Sequence, residues 1–334
     1  MHRLFAVGVL ALVATACGTG RAESSKQCTA PFEIGSGFTT DLCRHLVPLS
    51  QFQSGGPGKD GIPAIGRPRF APASTIRWLA GREPVIELAV GRETRAYPLQ
   101  ILIWHEIVND RVGGVPVAVT FCPLCDTAIA FDRRVGGGTL TFGTTGNLRN
   151  SDLVMYDRQT ESWWQQFGGE ALVGRYAGTR LRQLPARIVA WREFMGRYPN
   201  GLVLTRDTGF ARPYGQNPYA GYDDASTPPF FPTAHGNDRR LPPKERVVFL
   251  ERGDDAAVCR SRCCSADGSS VLPSAATSWS CVGDEVASAL DSGSIPRGRD
   301  VGAASVTEHG RPVVLDEPFW FAVAAFRPHV RIVR

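Results

Sequence analysis

The sequence has few lysines and no long apolar run, and both scarcities narrow the class of protein. Lys26, Lys59 and Lys244 are its three lysines, so the formal net charge of +5 comes from arginines that alternate with acidic residues. This pattern lacks the dense basic run that indicates a nucleic-acid partner. No stretch approaches the about 18 uninterrupted apolar residues of a membrane-spanning helix. The chain is therefore expected to be soluble, or held at a membrane by other means.

Glycine and proline, in contrast, are abundant. The chain has 334 residues with 36 glycines, 24 prolines and 43% hydrophobic residues. That hydrophobic content can form a real core, and the many turn-forming residues are typical of short strands rather than a helical bundle. The composition predicts a β-rich α+β fold of antiparallel strands and hairpins with a few short helices.

The N-terminal residues 1–17 have the pattern of a signal peptide. Arg3 precedes an apolar stretch from Leu4 to Ala14, and small residues then lead to Cys17. The segment before Cys17 resembles a lipobox, so a lipid on Cys17 would anchor the mature chain in a membrane. The alternative is simple cleavage and secretion. The chain is thus predicted to be exported, as a periplasmic protein, a cell-envelope lipoprotein or a secreted protein.

Residues 18–57 are interpreted as an N-terminal extension, with a linker over residues 50–59. Export would place the cysteines in an oxidising compartment, and Cys28 and Cys43 are therefore predicted to form a disulfide. A loop of this size would contribute about 3 kcal/mol to the free energy of unfolding on a chain-entropy model.

The main β-rich domain is assigned to residues 58–245. Leu99 to Val108 has apolar residues at helical spacing and is predicted to form a helix. Val115 to Cys122 alternates between apolar and other residues, which predicts a strand with one buried face. Further strands are predicted after it, over residues 127–133, 139–142, 153–157 and 171–173.

Residues 246–334 are interpreted as a degenerate second copy of an internal repeat. The segment from Arg246 to Asp255 mirrors the hairpin that begins at Val85, and residues 288–295 loosely echo residues 126–132. Residues 259–281 interrupt this copy with four cysteines and seven serines and are predicted to be exposed and irregular.

The chemistry is predicted at a Cys-Pro-Leu-Cys motif between two strands. A two-residue turn brings Cys122 and Cys125 to one point, since the ends of a β-turn lie within about 7 Å of each other. His105, at the end of the predicted helix, would add an imidazole, and Met155 a thioether. Thiolates with an imidazole are ligands for copper or zinc, so the first hypothesis is a metal site.

Neighbouring carboxylates and two other hypotheses accompany this site. Glu106 and Asp126 are candidates for orienting the ligands or carrying protons.

In the second hypothesis the protein is a thiol–disulfide oxidoreductase, in which Cys122 attacks and Cys125 resolves. In the third it is a non-catalytic surface module with an inert disulfide. Other acids, such as Asp152 and Asp157, are interpreted as solvated turn residues, and the partner stays an unidentified small molecule or metal ion.

Several motifs together resemble one bacterial and archaeal family, the domain of unknown function 3179. The motifs lie at residues 96–102, 104–110, 116–128, 150–160, 162–166 and 206–215. The resemblance covers roughly residues 58 to 250 and continues more weakly at residues 298–302 and 319–328. It implies no activity, but it implies an exported or membrane-associated protein whose recognisable pattern includes His105, Glu106, Cys122 and Cys125. The chain departs from the pattern between Val258 and Val282, and again between Val306 and Phe319.

Overall fold

Short helices and many strands make up the structure, a computed structural model that describes residues 28, 32–253, 255–261, 280–308 and 311–333. The predicted signal peptide, Cys17 and most of the Cys/Ser-rich insert lie outside these residues. No helix in the described parts has the length and apolar character needed to cross a membrane. The α-helices are α1 (Phe32–Gly35), α2 (Leu99–Leu102), α3 (Trp191–Arg197) and α4 (Trp320–Phe326), with 3-10 turns at Leu49–Gln51, Ala73–Thr75 and Ile295–Arg297.

Sixteen strands precede residue 205 in the described chain, and they confirm the β-rich α+β prediction. They are β1 (Gln53–Ser54), β2 (Phe70–Pro72), β3 (Pro84–Val90), β4 (Glu93–Pro98), β5 (Ile107–Val112), β6 (Val115–Cys122), β7 (Thr127–Asp132), β8 (Arg134–Val135), β9 (Gly138–Thr139), β10 (Phe142–Arg149), β11 (Asp152–Asp157), β12 (Trp163–Gln165), β13 (Ala171–Val173), β14 (Arg182–Leu184), β15 (Ala186–Ala190) and β16 (Leu202–Leu204).

The C-terminal part adds shorter sheets. Its strands are β17 (Val247–Arg252), β18 (Asp255–Arg260), β19 (Ser280–Asp284), β20 (Ala303–Glu308), β21 (Arg311–Pro312) and β22 (Arg331–Ile332). The prediction of an irregular segment over residues 259–281 is wrong at both ends. Cys259 is buried in β18 opposite Val248, and Ser280 begins β19.

Three sheets of the N-terminal part position the site. Their strand orders are β1-β10-β11-β12-β13, β14-β7-β6-β5 and β15-β3-β4-β16-β2. All of β7, and all of β6 after Val115, is buried, so β6 is covered on both faces rather than the one that its alternation predicted. The turn that joins β6 to β7 therefore lies inside the molecule.

The helix predicted over residues 99–108 is only one turn long. It ends at Leu102, and β5 begins at Ile107 and pairs with β6. β-Branched Ile107 and Val108 fit this buried strand, and their packing overrides the helical spacing of the apolar residues. His105 and Glu106 consequently lie in a turn between α2 and β5.

The N-terminal extension packs on the first sheet. The predicted disulfide between Cys28 and Cys43 is present, with 5.1 Å between the Cα atoms. Further along, Gln53 and Ser54, in the segment interpreted as a linker, form β1 and pair with β10. Buried Phe52 contacts the apolar cluster that includes Trp163. Pairing and burial thus hold this segment against the sheet.

The repeat is visible in strand pairing. Hairpin β3–β4 is followed by α3 and by β16, which pairs in parallel with β4. Hairpin β17–β18 is matched by α4 and by β22, which pairs in parallel with β18. Both helices begin at a tryptophan and are seven residues long. The echo at residues 288–295 is not matched, because it forms no strand like β7.

Candidate metal centre

The Cys-Pro-Leu-Cys turn is buried and closely bonded. Cys122 is the last residue of β6 and is 1% exposed, and Cys125 is fully buried. The Thr127 hydroxyl donates to Cys125 Sγ at 2.8 Å. Asp126 ends the turn with a φ of 55°, a left-handed conformation that aspartate tolerates better than most residues. The two sulfur atoms are separate thiols in this structure.

Asp152 joins the two cysteines, although the sequence pattern assigned it to a solvated turn. It is fully buried at the start of β11, and Cys125 Sγ donates to its Oδ1 at 2.9 Å. Ligand atoms of Cys122, Cys125 and Asp152 all lie within 4.8 Å of one another. The Phe167 amide also donates to Asp152 Oδ2, at 2.9 Å.

A sharp turn between β10 and β11 aims Asp152 inward. Asn150 and Ser151 both have a positive φ, of 55° and 58°. Two successive left-handed residues give the tight reversal of a two-residue hairpin. The one sequence signal for this turn is Asn-Ser-Asp ahead of the apolar stretch from Leu153 to Tyr156, and it does not reveal that the carboxylate meets the cysteines.

The three groups share a site that disfavours negative charge. Burial raises the pKa of Cys122 and raises that of Cys125 well above the usual thiol value. Burial also raises the pKa of Asp152, although hydrogen bonds from Cys125 and Phe167 oppose the rise. Among the described residues, no basic side chain forms an ion pair with these groups, although the Arg149 guanidinium is near enough for its charge to interact with that of Asp152. A bound cation would compensate the negative charge that the two thiols gain when they lose their protons.

Glu106 lies beside this cluster. It is 8% exposed, has a φ of 56° and accepts a backbone hydrogen bond from the Phe121 amide at 2.8 Å. Burial, followed by the nearby charge of Asp152, raises the pKa of Glu106 to about 8. The charge of Glu106 also contributes to the raised pKa of Cys122.

His105 does not join the cysteines, in contrast to the sequence-based expectation. Its Nδ1 donates to the Pro63 carbonyl oxygen at 2.7 Å, and because a carbonyl only accepts, Nε2 accepts from the Tyr214 hydroxyl, also at 2.7 Å. Burial lowers the pKa of His105, which keeps the imidazole neutral. Both ring nitrogens thus have hydrogen-bond partners, and His105 links the Pro63 backbone to the Tyr214 side chain.

The other predicted residues have separate roles. Asp126 forms a buried ion pair with Arg246, with 2.8 Å between Oδ2 and Nε, and therefore does not orient His105. Burial raises the pKa of Asp126 to about 6, and the charge of Arg246 opposes this rise. Met155 is fully buried in β11 between Thr144 and Trp164, in the apolar cluster that also contains both cysteines.

The arrangement can be compared with known proteins. The family model described as protein of unknown function (DUF3179) matches residues 59–330. The chain belongs to this family. The match extends through α4, so the C-terminal copy is part of the DUF3179 unit. No curated protein and no solved structure matches the chain.

Within the described part of this DUF3179 protein, the cysteine–aspartate cluster is the group of side chains suited to a metal ion. Two thiolates and a carboxylate are ligands that zinc accepts, at about 2.3 Å for sulfur and about 2.0–2.2 Å for oxygen. Donor atoms within 4.8 Å of one another can surround an ion at those distances after small side-chain adjustments. The described cluster supplies three protein ligands.

Proposed function

We propose that this protein binds Zn²⁺ through Cys122, Cys125 and Asp152. The observation that carries the proposal is that three buried ligand atoms lie within 4.8 Å of one another. The protein encloses them without an ion-paired basic side chain among the described residues. A divalent cation suits this chemistry, because it would drive loss of the buried thiol protons and compensate the thiolate and carboxylate charges that are unfavourable alone in a protein interior.

The carboxylate favours zinc over copper. Cu(I) prefers soft ligands alone, such as thiolates and thioethers, whereas zinc takes sulfur and carboxylate oxygen together. Asp152 is the ligand that separates the two cases, since Cys122 and Cys125 suit either metal. His105, which the sequence-based hypothesis of copper or zinc included as a ligand, bonds to Pro63 and Tyr214 instead.

Burial of the thiols opposes the oxidoreductase alternative. Thiol–disulfide exchange needs an accessible thiolate, which low-pKa cysteines at helix N-termini or beside basic groups supply. Cys122 and Cys125 are at most 1% exposed, and burial raises the pKa of both. Metal coordination suits such a site better, because the ion itself drives loss of the thiol protons.

Two aspartates of β11 provide the test. Asp152→Asn keeps the shape of the side chain but removes the carboxylate ligand, whereas Asp157→Asn changes an equally buried aspartate that accepts from Trp164 Nε1. Zinc affinity is measured by competition with a chromophoric chelator. We expect Asp152→Asn to weaken zinc binding by about 100-fold or more, because even outer-shell changes cost 10–100-fold, and Asp157→Asn to retain it. Equal affinities of the two variants would contradict the proposal.

We further propose that the protein acts outside the cytoplasm. The apolar stretch from Leu4 to Ala14 and the Cys28–Cys43 disulfide support this location. Expression of Cys17→Ala beside the unaltered chain distinguishes the two forms of export. Loss of the chain from the membrane fraction in the variant alone would indicate lipid anchoring through Cys17. Equal release of both chains would indicate secretion, and retention of both in the cytoplasm would refute export.

A further inference from the structure

Glu106 is held in an unusual conformation beside the cysteine turn. Its φ of 56° is uncommon for glutamate, and such a conformation costs on the order of 1–3 kcal/mol unless the surroundings impose it. Two backbone hydrogen bonds do so: its amide donates to the Leu102 carbonyl at 2.7 Å, and its carbonyl accepts from the Phe121 amide. The second bond places Glu106 across from the residue that precedes Cys122.

The carboxylate of Glu106 has no partner in the described chain. It forms no hydrogen bond and no ion pair there, although the residue is only 8% exposed. Asp126, at the other end of the same cysteine turn, is a direct comparison, because it is 7% exposed and pairs with Arg246. Buried carboxylates normally have such a partner, since an isolated buried charge is costly. Glu106 is therefore available to a cation.

Exposure changes with depth across the site. Cys122 is 1% exposed and Cys125 and Asp152 are fully buried, whereas Glu106 still contacts solvent. The 2.8 Å bond from the Phe121 amide to the Glu106 carbonyl oxygen places Glu106 beside the end of the strand that carries Cys122, and the charges of Glu106 and Asp152 interact. Glu106 nevertheless falls outside the three-residue group in which the ligand atoms lie within 4.8 Å of each other.

From this placement we infer that Glu106 is the metal-entry residue of the site. The inference rests on the proposed function. Glu106 first loses its proton to water and binds the incoming hydrated divalent cation through a carboxylate oxygen, which replaces one water ligand. The ion then passes to Cys122, Cys125 and Asp152, each thiol loses its proton to water as its sulfur–metal bond forms, and the bond to Glu106 breaks. No oxidation or reduction is involved.

The kinetics of zinc uptake test this role. Stopped-flow mixing of the full chain with Zn²⁺ and a chromophoric chelator gives the association and dissociation rate constants. For Glu106→Gln we expect both to fall on the order of tenfold, the scale of a local electrostatic effect on association, with little change in Kd. Glu106→Gly is a second variant, because glycine adopts a positive φ without strain.

Glu83→Gln is the matched control. Glu83 is also buried, at 1% exposed, but both of its oxygens accept hydrogen bonds, from the Ala80 amide and from Gln100 Nε2. We expect its zinc kinetics to match the wild type. Unchanged rates in both Glu106 variants would overturn the entry role, and so would a large rise in Kd, which would make Glu106 a permanent ligand. If the wild type takes up no zinc, the proposed function itself fails.

Discussion

The same cross-strand position carries different side chains in the two copies of the repeat. In the first copy, Arg187 of β15 lies opposite Glu87 of β3, and the two form an ion pair at 3.1 Å. In the second copy, Asp316 lies opposite Phe249 of β17. Burial raises the pKa of Asp316 to about 7, while a hydrogen bond from Gln183 opposes the rise. The backbone pairing is retained although the charge compensation is lost.

A second pair of equivalent positions contacts the cysteine turn in the C-terminal copy. Pro84 and Ala190 pair in the first copy, and Arg246 and Phe319 form the corresponding bridge in the second. The Phe319 amide donates to the Cys125 carbonyl at 2.9 Å, and Arg246 pairs with Asp126. The hairpin–helix–strand unit is thus a scaffold common to both copies. The first copy provides the cysteine turn, and the second copy holds that turn in place.

The largest effect should distinguish cysteines of the two copies. Cys125→Ser removes a proposed zinc ligand, and we expect it to weaken zinc binding by about 100-fold or more, because even outer-shell changes cost 10–100-fold. Cys259→Ser changes a buried cysteine of β18 in the second copy and should retain zinc affinity. Calorimetric titration measures both. Equal losses of zinc affinity in the two variants would contradict the assignment of the zinc ligands to the first copy.

The ion pair between Arg246 of the second copy and Asp126 beside the cysteine turn should contribute mainly to stability. Arg246→Met keeps the bulk of the side chain but leaves Asp126 buried without its ion pair, which should cost about 3–5 kcal/mol in free energy of unfolding. Urea denaturation measures the change. Arg192→Met is the control, because its ion pair with Glu285 is more than half exposed at both residues and should contribute about 0–1 kcal/mol. If Arg246→Met lowers the free energy of unfolding no more than Arg192→Met does, the ion pair of Arg246 does not hold the cysteine turn in place.

The smallest effect concerns Asp316 and pH. The folded state raises the pKa of this group above its unfolded value, so the folded protein binds the proton more tightly. Its contribution to stability is complete below about pH 4, the unfolded pKa, and is lost as the pH rises through about 7. Tm should therefore fall less between pH 5 and pH 8 in Asp316→Asn than in the wild type. Parallel Tm profiles would contradict this assignment.

The sequence predicts strands better than it predicts the site. Alternation and turn residues identify β6, β7 and the turn of Cys122 and Cys125, because these are local signals. The cluster depends on two features without such a signal. The left-handed turn before Asp152 places its carboxylate beside the cysteines. The buried strand β5 replaces the second half of the predicted helix, and His105 therefore bonds to Pro63 instead of joining the cysteines. Burial in the folded core, rather than a local sequence signal, decides both.

X-ray absorption at the zinc edge of the zinc-loaded protein reports directly on the proposed ligand set of Cys122, Cys125 and Asp152. We expect two sulfur neighbours at about 2.3 Å and the remaining neighbours, carboxylate oxygen among them, at about 2.0–2.2 Å. Asp152→Asn should keep the two sulfur neighbours and alter the oxygen shell. A zinc ion surrounded by oxygen and nitrogen alone, or by four sulfurs, would contradict the account.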